Sequence, residues 1–377
     1  MAHLDEFFIQ RFRGLRDLKL EKPGQVNLLV GNNNSGKTSV LEALSLFCDP
    51  LNWRKWYNIS SQRELPPLVG SSRVDRLLWL FPSTIGDSID LPTEKNRILL
   101  SASGDSPIEK VSASYEKFSE IVGVSRSGVK LDENVVDERE IEVDSIKINV
   151  LAFTKFIQLA MFEGQDASFQ EEITFSDRSP FPPNRQKNRV PPVPSQIVTP
   201  FSHRTGGLTS QLWSEVVEAD LKQETINLLR FFDPAIEDVD IILPSERSQI
   251  LSIKHKKLGR APLSTFGDGL RRVFTLATSI PRVKNGLLLI DELETAIHTT
   301  ALEKTFSWLV NVCVSNNVQL FATTHSLEAV DAILDAARDQ TDFVAYRLQQ
   351  DEERTNVVRF DKETVVRLRE ELGMEIR

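Results

Sequence analysis

Gly31-Asn32-Asn33-Asn34-Ser35-Gly36-Lys37-Thr38 fits the pattern G-x-x-x-x-G-K-[ST] without a mismatch. These residue types at this spacing can hold a polyphosphate. Glycines let the backbone wrap tightly, so the N–H groups of Asn32, Asn33, Asn34, Ser35 and Gly36 can turn toward phosphate oxygens. Lys37 can reach the β and γ phosphates, and the Thr38 hydroxyl can ligate Mg²⁺. Ser39 falls in the same helix start, whose partial positive charge favours an anion.

The motif needs a strand before it and a helix after it. Val26-Asn27-Leu28-Leu29-Val30 reads as a buried strand. Residues 37–47 read as a helix, with Val40, Leu41, Leu44 and Phe47 at helical spacing.

Three downstream stretches extend the chemistry. Leu287-Leu288-Leu289-Ile290-Asp291-Glu292 is an apolar strand ending in two carboxylates, the Walker B pattern. Mg²⁺ prefers hard oxygen ligands, so Asp291 can hold it, directly or through water. Glu292 is the candidate to position or deprotonate an attacking water. Leu263-Ser264-Thr265-Phe266-Gly267-Asp268-Gly269-Leu270 places a hydroxyl and two glycines, Gly267 and Gly269, at a helix start. That is a second phosphate-binding surface. In Ala322-Thr323-Thr324-His325-Ser326 the histidine follows a buried strand, and such a His can contact a γ-phosphate.

A chain of 377 residues can bury a large core, and its 40% hydrophobic and 26% charged residues are those of an ordinary globular protein. The net charge of -9 argues against a general nucleic-acid coat but leaves room for a local basic patch. Two cysteines, Cys48 and Cys313, in apolar helical patterns suggest neither a disulfide framework nor a metal site. The N-terminus has no basic or apolar region of a secretory signal, and no apolar run is long enough to span a bilayer. A reduced, cytoplasmic location is the expectation, with no membrane partner.

Along the chain, residues 7–15 and 18–20 read as two strands with a turn near Gly14. Residues 52–57 form an aromatic and basic cluster. It reads as a helix end packed on the core, with stacking on a base or a partner as the alternative. Residues 73–81 read as a short helix. Residues 97–102, 110–115 and 146–153 suggest an antiparallel meander, and the acidic residues 132–144 a solvated surface. Residues 176–200 hold seven prolines and read as an exposed connector, with a short buried strand at 195–199. Gly206-Gly207 opens a helical region, 208–218 and 221–232, followed by a strand pair at 239–243 and 249–254. A helix over 268–280, a strand at 287–290, a helix after Asp291-Glu292, strands at 319–323, 343–348 and 356–360, and a charged terminal helix complete the chain. No internal repeat and no sustained heptad pattern occurs.

The order of P-loop, Ser-x-x-Gly-Asp-Gly helix, Asp-Glu strand end and Thr-Thr-His-Ser resembles the ABC-type ATPases. More narrowly, the chain resembles the OLD-like (overcoming lysogenization defect) group, which includes AAA ATPases of prokaryotic defence loci. Ile9-Gln10-Arg11-Phe12-Arg13-Gly14-Leu15 matches that group's N-terminal strand, and Asp291-Glu292-Leu293-Glu294-Thr295-Ala296-Ile297-His298 its extended Walker B. The closing Gly373-Met374-Glu375-Ile376-Arg377 resembles the end of a full-length member.

The resemblance implies an α/β fold: an ABC-type ATPase head with a mixed central sheet, an N-terminal antiparallel β lobe and a helical lobe between Walker A and Walker B. Residues 1–377 would be one domain. Its nucleotide-binding core would be 1–50 and 260–377, its antiparallel β region 97–165, its Pro-rich loop 176–205, and its helical lobe and strand pair 206–260. It also implies ATP and Mg²⁺ as ligands. Two heads would join head to tail, each ATP held by one P-loop and by the Ser264, Gly267 and Gly269 segment of the other. Arg13 matches a position near the phosphates. The glutamine loop that completes the metal shell is not identifiable; residues 201–206 are its best location, with His203 or Arg204 in place of Gln.

Long coiled-coil arms are missing, and so is a carboxylate cluster suited to a two-metal nuclease. The expected function is therefore an ATP-hydrolysing, dimerising switch that scaffolds or restrains a separate effector, a nuclease or toxin, in antiphage defence. The alternative is a DNA-binding repair ATPase of the recombination-mediator type, which leaves nucleic acid open as a partner. A transporter subunit is disfavoured by the Ser-Thr-Phe-Gly-Asp-Gly segment and the large middle insertion. A GTPase is disfavoured by the lack of an Asn-Lys-x-Asp motif.

Overall fold

The structure, a computed structural model, describes residues 4–63, 72–82, 96–124, 139–155, 168–178, 193–205, 210–245, 248–338, 342–350 and 354–371. Strands β1 (Glu6–Phe12) and β2 (Leu15–Glu21) form a hairpin, and β3 (Val26–Val30) runs into the glycine loop and helix α1 (Lys37–Cys48). Helices α2 (Trp53–Ser61) and α3 (Arg73–Leu78) follow. Then come β4 (Ile98–Ser103), β5 (Ile108–Val124), β6 (Arg139–Thr154) and β7 (Ser168–Ser176). The middle of the chain holds β8 (Ser195–Val198), the single turn α4 (Ser202–Thr205), α5 (Ser210–Glu218) and α6 (Lys222–Phe232). After these come β9 (Ile236–Ser245), β10 (Ser248–His255) and β11 (Gly259–Pro262). The last third holds α7 (Asp268–Ser279), β12 (Leu287–Ile290), α8 (Thr299–Ser315), β13 (Gln319–Thr323), α9 (Leu327–Ala336), β14 (Phe343–Gln350), β15 (Thr355–Asp361) and α10 (Lys362–Val366).

Three sheets result among the described residues. The central one has the order β15-β14-β3-β13-β12-β8. Its pairings are parallel except β14 with β15, so it is mixed. Every residue of β3, β12 and β13 is buried, as strands covered on both faces require. Asn27 is the polar exception in β3. Its Nδ2 donates to the carbonyls of Gly24 and Leu320, and its Oδ1 accepts from Gly24 N, so the amide is satisfied inside.

The second sheet, β2-β1-β4-β5-β6-β7, is wholly antiparallel. Helix α1 packs between it and the central sheet, so residues 39–48 are all buried. Alternate central-strand residues face opposite ways. Leu29, Leu289 and Phe321 join the core around α1. Leu28, Leu288 and Leu320 join the core formed by α5–α9 and the third sheet, β11-β10-β9.

The expected strands and helices are present, with four additions: β7, the single turn α4, β11 and α9. The edge strand β7 exposes Gln170, Glu172 and Thr174 and only half-buries Glu171 between them, and so reads weakly as a strand. β11 is four residues with a glycine and a proline. The aromatic cluster at 52–57 packs inward as a helix end. Trp56 is fully buried, donates Nε1–H to Pro50 O at 2.8 Å and stacks on Phe81. Of the acidic residues 132–144, those from 139 on belong to β6; the earlier ones lie outside the described residues. Most of the Pro-rich stretch, Gly206-Gly207 and Gly373 to Arg377 also lie outside them.

Both cysteines are buried, in α1 and α8. Burial pushes the Cys48 thiol up to about 11 and Cys313 to about 12, so neither is a thiolate near neutrality. Among the described residues no helix is long and apolar enough to cross a membrane.

Candidate functional site

The C-terminal ends of β3, β12 and β13 converge, and ligands of open α/β sheets sit at such ends. β3 delivers the loop from Gly31 to Thr38, β12 delivers Asp291 and Glu292, and β13 delivers Thr323 to His325. Gly31 has φ 138°, and a Cβ there would lie 2.5 Å from Leu348 O, so only glycine lets the loop turn this close to β14.

Thr38 Oγ1 lies 3.0 Å from Asp291 Oδ2 and 3.1 Å from Oδ1. Residues 253 apart in the chain therefore meet. Thr323 Oγ1 donates to Asp291 Oδ1 at 2.7 Å and accepts from Glu292 N at 2.9 Å. Burial raises the pKa of Asp291, against the pull of the Thr323 and Thr38 hydroxyls. Lys37 Nζ donates to the carbonyls of Gly31 and Asn32, both at 2.8 Å. Its pKa is lowered by burial, opposed by Asp291, Glu292 and Glu294.

Glu292 has φ 48°, an uncommon conformation for a residue with a Cβ that costs about 1–3 kcal/mol and persists only where the surroundings hold it. Arg272 supplies that hold from helix α7. Its side chain is fully buried, and its guanidinium donates to Asp291 O at 3.0 Å, Glu292 O at 3.2 Å and Thr199 O. One cation thus fastens the carboxylate turn to α7 and to the loop after β8. Burial lowers its pKa to about 10, still charged near neutrality. The side chain of Glu292 is oriented by Thr295, whose hydroxyl donates to Oε2 at 2.9 Å.

His325 is more than half exposed. Its Nδ1 and its backbone N each lie 3.3 Å from Glu294 Oε1. Ser326, the next residue, caps α9 by accepting from Ala329 N. His298, at the end of the resembling Walker B stretch, serves as the N-cap of α8.

Two cavities border the loop. One, of about 420 Å³, is lined by Gly31, Asn32, Asn33, Asn34 and Ser35 and by the end of β14. The other, of about 300 Å³, is lined by Asn34, Gly36 and Ser39 together with Arg13, Arg63 and Trp79. Arg13 does not point a free guanidinium into that space. Its Nε pairs with the buried carboxylate of Glu42 at 2.8 Å, and Arg63 binds the same carboxylate at 2.7 Å. Arg63 also donates to Ser39 Oγ at 2.9 Å.

Ser264, Thr265 and Gly267 are exposed. Among the described residues no hydrogen bond joins them to the glycine loop of their own chain. Gly269 is packed: a Cβ there would lie 2.8 Å from Ala296 O, so α7 starts tight against the segment after Glu292. His203 and Arg204, candidates for the missing glutamine, instead face that helix start. Arg204 bonds Asp268, and the buried His203 Nε2 lies 3.6 Å from the same carboxylate. Burial lowers the pKa of His203, with Asp268 opposing.

The residues fit a nucleotide phosphate with a divalent ion. Ser35 Oγ is buried in the loop with no hydrogen-bond partner among the described residues, a donor left for an incoming oxygen. Thr38 and Asp291 offer oxygen only, the ligand type Mg²⁺ takes. Sequence reasoning missed Glu42, Arg63, Arg272, Glu294 and Thr323. Glu294 and Thr323 stood inside motifs already singled out; the other three carried no local signal.

Two family models match the chain, each over less than half of it. One, described as "AAA ATPase domain", matches residues 3–174 and so takes in the glycine loop. The other, described as "AAA domain, putative AbiEii toxin, Type IV TA system", matches residues 198–331 and takes in Ser264, Asp291, Glu292 and His325. An uncharacterized protein of Methanocaldococcus jannaschii is 35% identical over 112 residues, 29% of this chain and 98% of that protein. A Helicobacter pylori protein named ATP/GTP phosphatase is 22% identical over 371 residues, 92% of each chain. Among solved structures, an SMC head bound to the C-winged helix domain of ScpA aligns with a TM-score of 0.48 at 10% identity. The alignment covers 96% of this chain and 99% of that one. The family matches and the converging motifs support an ATPase with a P-loop α/β fold.

Proposed function

We propose that the chain binds ATP with Mg²⁺ on the glycine loop, hydrolyses it, and dimerises around it to control a separate effector in antiphage defence. The observation that carries the nucleotide site is the approach of Thr38 Oγ1 to the Asp291 carboxylate at 3.0 Å. Mg²⁺ held by Thr38 and Asp291 would neutralise charge on the β and γ oxygens. The loop amides and Lys37 bind and orient the phosphates. Glu292 takes the proton of the attacking water, and Arg272 with Thr323 keeps the Glu292 backbone in place. The toxin–antitoxin wording of the second family match accords with a defence role.

Dimerisation is supported by the exposed Ser264 to Gly267 segment, a phosphate-binding surface that its own loop does not use. Ser264→Arg puts a long cation where a partner's phosphates would close. We expect it to abolish the ATP-induced shift to a dimer in sedimentation velocity while monomeric ATP binding persists. An unchanged ATP-dependent profile would rule out the proposed interface.

Lys37→Ala tests the nucleotide site itself. A hydrogen bond to a charged group is worth about 1.5–3 kcal/mol, so ATP affinity is expected to fall about 10- to 100-fold in equilibrium titration. Parental affinity in this variant would place the nucleotide elsewhere. Co-purification of the product of a neighbouring reading frame, a nuclease or toxin, tests the effector part.

A further inference from the structure

We infer that Glu294 is a positioning residue for His325: its carboxylate fixes the proton on Nδ1 and the rotation of the ring, so that the opposite nitrogen is held for the terminal phosphate. The inference rests on the proposed nucleotide site and adds a residue to it.

The two side chains differ in how firmly they are held. Glu294 is 14% exposed and His325 57%, so a sheltered carboxylate faces a ring that projects outward. The turn carrying Glu294 is tied to the end of β13, because Leu293 N donates to Thr323 O at 2.9 Å. Glu294 Oε1 then meets His325 twice, at the backbone N and at Nδ1, each 3.3 Å away. One oxygen thereby contacts both the backbone and the ring of the histidine. A carboxylate oxygen accepts only, so a proton on the facing nitrogen is the one this contact would favour.

Structural need does not account for this carboxylate. Its other oxygen, Oε2, is buried and has no hydrogen-bond partner among the described residues. Leaving such an atom unsatisfied costs about 1–3 kcal/mol, so a purely structural position would favour another side chain. Glu292 is oriented differently, through Thr295, so the two carboxylates have separate tasks. Glu292 faces the water, and Glu294 aims the histidine.

The test pairs a spectroscopic reading with kinetics. In protein labelled with ¹⁵N at histidine, the His325 signals are those lost in His325→Ala. We expect them to show a protonated Nδ1 in the parent and a changed tautomer or ring environment in Glu294→Gln, whose amide can present N–H to the ring. In steady-state assays Glu294→Gln is expected to lower kcat about 10- to 100-fold with KM within about threefold, the pattern of a lost transition-state interaction. Glu294→Gln/His325→Ala should be no slower than His325→Ala by more than about twofold, because the glutamate acts through the histidine. Losses that multiply in the double variant, or His325 signals unmoved by Glu294→Gln, would overturn the inference. If Glu294→Gln melts well below the parent, Glu294→Asp carries both readings, since shortening the side chain withdraws the carboxylate from Nδ1. Should the parent protein hydrolyse no nucleoside triphosphate, the proposed function fails, while the histidine spectrum still decides the Glu294–His325 contact.

Discussion

Glu292→Gln is expected to lower kcat for ATP hydrolysis by about 10²- to 10⁴-fold, the usual contribution of a positioned general base. The amide has nearly the same shape and can still accept the Thr295 hydroxyl that now bonds Oε2 at 2.9 Å. The backbone bonds to Arg272 and Thr323 do not involve the side chain, so the strained turn survives the change. What disappears is the capacity to take a proton. KM should stay within a few-fold of the parent, and ATP should remain bound. A protein that binds but does not turn over should accumulate as the ATP-bound dimer in sedimentation velocity. Hydrolysis at the parental rate would refute the assignment of the base. If Glu294→Gln then proved the inactive variant, with no dependence on His325, the role would pass to Glu294.

How far the site could be read in advance follows from how local each signal is. The glycine loop, the Asp291-Glu292 strand end and the histidine after β13 are short strand–turn patterns, legible wherever they stand. Their convergence follows once β3, β13 and β12 are parallel neighbours in one sheet. The middle sheet was legible in part: β4, β5 and β6 show β composition, whereas the polar edge strand β7 does not. The buried ionic side chains of Glu42 and Arg272 were not legible at all. Periodicity identified the apolar stripe of α1, and by the same logic Glu42 would belong to its wet face. The antiparallel sheet covers that face as well, so every residue from Ser39 to Cys48 is buried. Arg272 is the same case on α7, a cation turned inward to backbone carbonyls that no sequence spacing announces. Charges of this kind are readable only after the second layer is known.

Glu42→Ala is the substitution expected to cost the most stability. The carboxylate is 1% exposed, and its more deeply buried partner, the Arg13 guanidinium 2.8 Å away, is 12% exposed. An ion taken out of water is tolerable only with its partner in place; removing one member of a buried pair typically costs about 3–5 kcal/mol. Arg63 adds a 2.7 Å contact, but at 45% exposure it can turn to water, so most of the penalty falls on Arg13. Burial already lowers the pKa of Arg13, with Glu42 the main opposing influence, so without the carboxylate the guanidinium is held in the core at a larger cost. The melting temperature should fall by about 4–6 °C, read by calorimetry without nucleotide. Arg13→Met/Glu42→Leu removes both charges and fills the space, and should regain most of the loss, as replacement of buried ion pairs by apolar groups commonly does. The same double variant retains Lys37, Thr38, Asp291 and Glu292. Its ATP affinity therefore reports separately whether Arg13 serves the nucleotide or only the core. A Glu42→Ala protein melting within about 1 °C of the parent would mean that Arg13 leaves the core when its partner is removed, and the buried pair would not be what ties the middle of α1 to the β1–β2 turn.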